Sequence, residues 1–414
     1  TTSIGKLRRN LTFIYMPFNR VNSFREQGAH ARHQMIKRVI ISGGGSGGHI
    51  QPALAIADEI VRRYPKVQLS FVGAKGKMEM EKVPEAGYEI DGLWISGLQR
   101  SLTSIKNISF PIKLIYSLIK AGKLLNRYKP EIVIGVGGYA SGPLLYRASK
   151  KGIPTLIQEQ NSYPGITNRI LASRVNKVCA GFSGLERWFP KDQIVETGNP
   201  LRKNVLKLAA AKLRPSKQEA KAYFNLDINK PVVFVMGGSL GAMSMNMAVR
   251  NLMEHSVHER AYSIIWQCGS RFLQENEKWL REFNEQNKNT DQGVTCLGFI
   301  DRMDFAYAAA DLIASRAGAM SISELALVAK PTLLIPSPHV AEDHQTKNAT
   351  SLVKSGAAIM IKDGDVIKDL KKHIEDLLND EQTKKKMQSN LKTSARPNAC
   401  IQIVDEVEQL LRGK

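Results

Sequence analysis

Cysteine is scarce in this chain: four among 414 residues, Cys179, Cys268, Cys296 and Cys400, far apart and with no CxxC pair. That spacing argues against zinc and against a disulfide framework, and suits a reducing compartment. Long apolar runs are missing too. No stretch approaches the ~18–20 apolar residues that cross a bilayer, so no membrane-spanning helix is expected. Acids are outnumbered, 38 Asp and Glu against 59 Lys and Arg, for a net charge of +21. Such a balance suits nucleic acid, an anionic membrane surface or anionic substrates. No helix-turn-helix, RNA-recognition signature or basic–aromatic groove accompanies it, so nucleic acid is not an expected partner. Acids are rarest at the start, where Glu26 stands alone against Lys6, Arg8, Arg9, Arg20, Arg25, Arg32, Lys37 and Arg38. That Arg-rich opening resembles a transit peptide in composition and shows no steady periodicity. Residues 1–34 are read as a disordered extension before Met35 and set aside.

What is present is alternation. The length exceeds one ordinary core, so two domains are expected. From residue 37, short apolar runs alternate with helical stretches: "KRVIIS", "VQLSFVG" (67–73), "EIVIGVGG" (131–138) and "IPTLIQEQN" (153–161). After a Gly-Asn-Pro break the pattern restarts with "PVVFVMGGSLGAMSMN" (231–246), "YSIIWQCG", "GVTCLGFI", "ADLIASRAG" and "KPTLLIPSP". Strand–helix alternation predicts doubly wound parallel sheets with ligands beyond the strand carboxyl ends. The expected fold is α/β: two Rossmann-like domains facing across a cleft, the first over 35–197, a hinge over 198–205 and the second over 206–392. The last segment, 393–414, predicts an amphipathic helix packing back toward the first domain.

Residues 43–48 contain G-x-G-x-x-G through Gly43, Gly45 and Gly48. A dinucleotide fold wants an acid about 20 residues on, at the end of the second strand. Here that strand ends in Gly73, Ala74 and Lys75, so a nicotinamide dinucleotide is disfavoured. Neither glycine turn carries the Gly-Lys-Ser/Thr of a P-loop. "HVAEDH" (339–344) offers His339, Glu342, Asp343 and His344, but the spacing matches no zinc motif; no metal and no other cofactor is expected.

The ordered motifs "GGGSGGH", "GVGGYASGP", "QEQN", "TGNPLR", "GGSLGA", "GFIDRM", "SRAGAMSISELA" and "EDHQTKNA" resemble those of the MurG family of GT-B glycosyltransferases over about residues 36–410. The resemblance implies inverting, metal-independent transfer of N-acetylglucosamine from UDP-N-acetylglucosamine to lipid I, an undecaprenyl-pyrophosphoryl muramyl-pentapeptide. It implies action at the cytoplasmic face of the bacterial membrane, with other cell-wall synthesis proteins as further partners. This chain departs from the family at Ser46, where threonine is usual, at Gln158 for histidine and at Leu240 for glutamine.

The resemblance assigns Ser46, Gly47, Gly48, Asn161, Arg202, Ser239, Ile300, Ala319, Met320, Ser321, Ile322, Ser323, Glu324 and Gln345 to UDP-N-acetylglucosamine. It gives the acceptor's pyrophosphate to Gly44, Gly45, Gly137, Gly138 and Tyr139. Each residue has a plainer reading beside that one. Glu324 is a ribose acceptor or a first-turn helix acid. Ser239 is a phosphate ligand or an N-cap. Ile300 is a main-chain contact to uracil or ordinary core. Arg202 lies at the nucleotide or on the solvated surface. Asn161 and Gln345 are sugar-binding amides or turn residues. His49, at the start of the first helix, is the candidate base, because a histidine accepts a proton near neutral pH; otherwise it closes the turn or bonds the pyrophosphate.

Between residues 104 and 129, Lys106, Lys113, Lys120 and Arg127 recur every seven residues beside Ile112, Leu114, Ile115, Leu118 and Ile119. This suits a helix in an anionic headgroup layer, or a core-packed helix with solvated lysines. Two rival functions stay open: a related transferase acting on diacylglycerol, distinguished by its acceptor, and a lipid-sugar binder without turnover.

Overall fold

The computed structural model describes residues 36–45, 47–97, 108–209, 214–238, 240–256, 260–287 and 293–413. Residues 1–34, Met35, Ser46, Lys106 and Ser239 lie outside the described residues.

Two parallel sheets organise the rest. The first lobe holds β1 (Arg38–Ser42), β2 (Gln68–Ala74), β3 (Glu89–Leu93), β4 (Ile132–Gly135), β5 (Thr155–Glu159), β6 (Lys177–Ala180) and β7 (Ile194–Glu196), in the order β3-β2-β1-β4-β5-β6-β7. Helices α1 (Gly47–Arg63), α2 (Glu79–Glu85), α3 (Phe110–Tyr128), α4 (Ser141–Lys150) and α5 (Ile166–Leu171) connect them. After α6 (Lys203–Leu206) and α7 (Lys217–Tyr223), the second lobe holds β8 (Val232–Met236), β9 (Ser263–Gln267), β10 (Val294–Leu297), β11 (Leu312–Ser315), β12 (Thr332–Leu334) and β13 (Ile359–Met360). Its order, β10-β9-β8-β11-β12-β13, is that of a doubly wound nucleotide-binding sheet. Helices α8 (Met243–Glu254), α9 (Leu273–Gln286), α10 (Met303–Ala309), α11 (Ala319–Val328), α12 (His344–Lys354), α13 (Val366–Asn379) and α14 (Glu381–Ser394) complete it.

The central strands are apolar because helices cover both faces of a parallel sheet. Every residue of β8 and β9 is buried. Helix α1 lays Ala53, Ile56, Ala57 and Ile60 on the first sheet at helical spacing. Four short strands, β3, β6, β7 and β13, carry too few apolar residues to announce themselves. The last helix, α15 (Ala399–Arg412), belongs to the first lobe's core, where Ile403, Val404 and Val407 pack with Val39, Ile41 and Ile56. Arg63 of α1 reaches Asp405 at 2.6 Å and Glu408 at 2.9 Å, and the Tyr64 hydroxyl donates to Glu408 at 2.7 Å. The chain therefore crosses between lobes twice. At the first crossing Gly198 has φ 81°, and a Cβ there would lie 2.3 Å from that of Arg396, so only glycine fits.

Candidate functional site

The loops at the carboxyl ends of β1 and β4 meet through their glycines. A Cβ on Gly138 would lie 2.2 Å from the Gly44 carbonyl oxygen, so bare backbone lets the two turns touch. Beneath Gly44 and Gly45 sits the carboxylate of Glu79, the first residue of α2. Its Oε2 accepts from Gly45 N–H at 2.9 Å and its Oε1 from Ala74 N–H at 2.9 Å. The Gly45 amide is thus engaged by an internal anion. Glu79, five positions beyond Ala74, is an acid near the end of β2 to which the dinucleotide spacing does not point.

His49, third residue of α1, donates through Nδ1 to the Gly44 carbonyl at 3.0 Å, since a carbonyl only accepts. The neutral ring then carries its lone pair on Nε2. A Cβ on Gly137 would come 3.0 Å from that ring, and the Tyr139 phenol stands over Gly45. Burial pushes the His49 pKa below its usual value; the Gly44 carbonyl and the Glu79 charge oppose this, and His344 adds to it.

The stretch after β5 reaches across the cleft. Buried Glu159 accepts from Asn161 N–H at 2.9 Å, Gly165 N–H at 3.1 Å and Asn168 Nδ2 at 2.7 Å, and burial still raises its pKa. Asn161 Oδ1 accepts from Asn348 Nδ2 at 3.2 Å, Ser162 Oγ donates to Asn348 at 2.9 Å, and Arg169 pairs with Glu342 at 2.5 Å. Asn348 lies one turn from Gln345 on α12, and Gln345 Oε1 accepts from Ser337 N–H at 2.8 Å. Gln158 is fully buried and donates to Asn199 at 2.9 Å, and Asn199 donates to Ser323 at 3.0 Å. The residue replacing the family's histidine therefore belongs to an amide relay joining first lobe, hinge and second lobe.

In the second lobe Glu324 occupies the second turn of α11, not its first as the sequence suggested, and is buried. Arg202 grips it through Nε at 2.9 Å and Nη2 at 2.7 and 2.9 Å. Burial opposes the Arg202 charge, yet Glu324 raises its pKa on balance. The Tyr307 hydroxyl donates to Glu324 Oε2, which it shares with Arg202, at 2.8 Å, and burial with that carboxylate raises the phenol pKa well above normal. Nothing in the sequence marks Tyr307, where "DFAYAAADL" reads as plain core. Ala319 and Ile322 are buried, Met320, Ser321 and Ser323 half-buried, all in the first turns of α11, whose N–H groups lie at the carboxyl end of β11. Ile300 is buried in the loop after β10. Leu240 is 69% exposed beside Ser239, the latter outside the described residues.

On α3 the outermost ridge is apolar: Ile112, Ile115, Tyr116 and Ile119 are exposed, with Ile108 before the helix and Trp94 after β3. Leu114 and Leu118 are half-buried. Lys113 and Lys120 do not stand on a solvated face. They fold back to Ser96 Oγ at 3.3 Å and the Gly92 carbonyl at 2.8 Å, while Arg127 lies over Tyr128. No helix among the described residues is long and apolar enough to cross a membrane. Among the same residues, no three His, Cys, Asp or Glu side chains converge to hold a metal ion.

Residues 39–180 match the glycosyltransferase family 28 N-terminal domain and residues 232–403 the glycosyltransferase family 28 C-terminal domain. The UDP-N-acetylglucosamine–N-acetylmuramyl-(pentapeptide) pyrophosphoryl-undecaprenol N-acetylglucosamine transferase of Christiangramia forsetii is 49% identical over 377 residues, 91% of this chain and 98% of that protein. The enzyme of that name from Parabacteroides distasonis is 45% identical over 91% of this chain and 99% of its own length. Among solved structures, Acinetobacter baumannii MurG superposes with a TM-score of 0.69 at 26% identity, over 90% of this chain and 99% of that one. A UDP-GlcNAc 2-epimerase from Neisseria meningitidis, bound to UDP-GlcNAc, shares the fold at a TM-score of 0.61 and 15% identity, over 90% of this chain and 100% of that one.

Proposed function

The chain belongs to glycosyltransferase family 28, with a GT-B fold, and on that premise we propose that it transfers N-acetylglucosamine from UDP-N-acetylglucosamine to lipid I, giving lipid II. The observation that carries the reading is one built polar site beyond the strand carboxyl ends of each lobe. An imidazole with a fixed tautomer stands on the first lobe, and a buried carboxylate held by Arg202 and Tyr307 stands on the second.

In this reading the second lobe holds the donor. Glu324 accepts the ribose hydroxyls, main-chain groups at Ile300 meet uracil, and Ser239 with the first turn of α11 (Ala319, Met320, Ser321, Ile322, Ser323) meets the diphosphate. Helix N-terminal N–H groups and Arg202 offset the charge that grows on UDP as it leaves, which removes the need for a metal. Gln345 and Asn161 approach the sugar from opposite lobes, and Ser46, Gly47 and Gly48 close over it. The acceptor's pyrophosphate lies against the paired glycine turns, Gly44–Gly45 and Gly137–Gly138–Tyr139, with the Gly45 N–H spent on Glu79 and not among its donors. His49 Nε2 takes the proton of the muramyl hydroxyl while that oxygen attacks the anomeric carbon opposite UDP. The C–O bond to UDP breaks, the new bond forms with inversion, and the proton leaves on the imidazolium.

UDP release measured in EDTA tests the whole reading. It is expected to require a lipid I analogue, to proceed without divalent metal and to yield the β-linked disaccharide. Dependence on added metal, a retained anomer, or turnover on diacylglycerol instead would each refute a stated part.

The acceptor's lipid requires docking at the cytoplasmic membrane face. The α3 ridge suits it, with isoleucines outermost and Lys113 and Lys120 on the flank at headgroup height. Fully burying one isoleucine is worth about 1.5–3 kcal/mol. The triple change Ile112→Ser, Ile115→Ser, Ile119→Ser is therefore expected to weaken sedimentation with phosphatidylglycerol vesicles by more than about a hundredfold. Turnover on a short-chain, water-soluble acceptor stays native. Unchanged vesicle binding assigns membrane contact elsewhere.

A further inference from the structure

Glu79 has no part in the roles given above, yet it is only 1% exposed and the first glycine turn is built around it. A Cβ on Gly44 would lie 2.0 Å from its Oε1, and one on Gly73 would lie 2.5 Å from its Cγ. Two backbone N–H groups, of Gly45 and Ala74, hold the carboxylate where a phosphate-binding turn would hold a ligand's oxygens. The next atoms along the chain are those that orient the imidazole: the Gly44 carbonyl accepts a hydrogen bond from His49 Nδ1 at 3.0 Å.

We propose that Glu79 is a positioning residue for the transfer. It clamps the Gly44–Gly45 turn, and through the Gly44 carbonyl it keeps the His49 proton on Nδ1 and the lone pair on Nε2. This rests on the reading of His49 as the base. The carboxylate acts a second way, because its charge beside the ring favours the imidazolium that forms as the acceptor gives up its proton. Further groups among the described residues act on the imidazole. The charge of His344, the first residue of α12, acts on it, the charges of Glu342, Lys347 and Arg169 act on His344, and the Tyr139 phenol lies over the same turn.

Glu79→Gln keeps the volume, removes the charge and sets an amide against the two N–H donors. The expected result is a fall in kcat of about a hundredfold, the scale of a misplaced reacting group, with UDP affinity native because the groups assigned to UDP lie on the second lobe and the hinge. The acid limb of kcat/KM moves to lower pH, since a charge that raises the imidazole pKa is gone. Nitrogen-15 NMR of the histidines reads the ring without turnover, the His49 signal being assigned by its loss in His49→Ala. The native chain shows the Nδ1-protonated tautomer, and Glu79→Gln a mixture titrating at lower pH. A native kcat, or a native His49 tautomer and titration whatever the activity, overturns the proposal. Turnover retained in His49→Ala removes the base and with it the catalytic half, while the NMR result still decides the positioning half. Should Glu79→Gln not fold, Glu79→Asp keeps the charge and loses the reach to Gly45. It is expected to lower kcat with the acid limb in place, and a native kcat there overturns the proposal equally.

Discussion

Replacing His49 by alanine is expected to lower kcat by about 10²–10⁴-fold, the usual worth of a positioned general base, with UDP affinity within a few-fold of native. The split follows from placement. The imidazole hangs from the first lobe, on the Gly44 carbonyl, whereas the groups assigned to the nucleotide lie on α11, the hinge and the loop after β10. The pH profile gives the sign. Burial lowers the His49 pKa from its ordinary 6.5, so at neutral pH the ring is unprotonated and competent to accept a proton. The acid limb of kcat/KM is therefore expected below pH 6.5 and is absent from the residual activity of His49→Ala. The same depression acts on folding. Below 6.5 the unfolded chain binds a proton that the folded site resists, so this group costs stability as the pH falls and costs nothing above it. Stopped-time assays of UDP release across pH, with calorimetry for UDP binding, check both limbs. An unchanged acid limb in the variant assigns the titration to another group.

The sequence made the two sheets legible because buried parallel strands need continuous apolar runs, and "VVFVM" or "SIIWQ" has no other comfortable place. Strands such as "EIDGL" and the three residues of β7 were hidden, because a short or acid-bearing edge strand looks like loop. The glycine turns were visible, but not the reason for each glycine. Gly44 and Gly138 are bare because backbone and a carboxylate press on them, and sequence does not carry that proximity. Glu79 was invisible for the same cause: in "KMEMEKVPE" nothing separates it from Glu81 and Glu85 until β1 and β2 bring their turns together. Tyr307 was concealed by residue type, since an aromatic at helical spacing reads as core and its hydroxyl's partner lies 17 positions away. On α3 the heptad of cations suggested an outward basic stripe. Lysine stems are long enough to lie along the flank and reach β3, which leaves the isoleucines outermost.

Glu324→Ala is expected to weaken UDP binding by about a hundredfold or more, because each hydrogen bond from a ribose hydroxyl to a carboxylate is worth about 1.5–3 kcal/mol. The structure adds a second consequence. Glu324 is the common acceptor of Arg202 and Tyr307, with its side chain 4% exposed against 29% for Arg202. Removing it leaves a guanidinium and a phenol without their partner. Breaking a buried pair costs about 3–5 kcal/mol, and the partial exposure of Arg202 puts this one at the lower end. The variant is therefore expected to melt several degrees lower as well as to bind weakly, which confounds a simple affinity measurement. Tyr307→Phe separates the two effects. It removes one donor and no charge, leaves the Arg202 grip intact, and takes from Glu324 Oε2 one of its two donors. Its melting temperature is expected to stay near native while the preference for UDP over 2′-deoxy-UDP shrinks, because discrimination between the two requires a carboxylate held in register with both hydroxyls. Titration calorimetry with the two nucleotides reads this directly. Equal preference in native and Tyr307→Phe proteins means that Arg202 alone orients Glu324, and a native preference in Glu324→Ala removes the ribose role from this carboxylate.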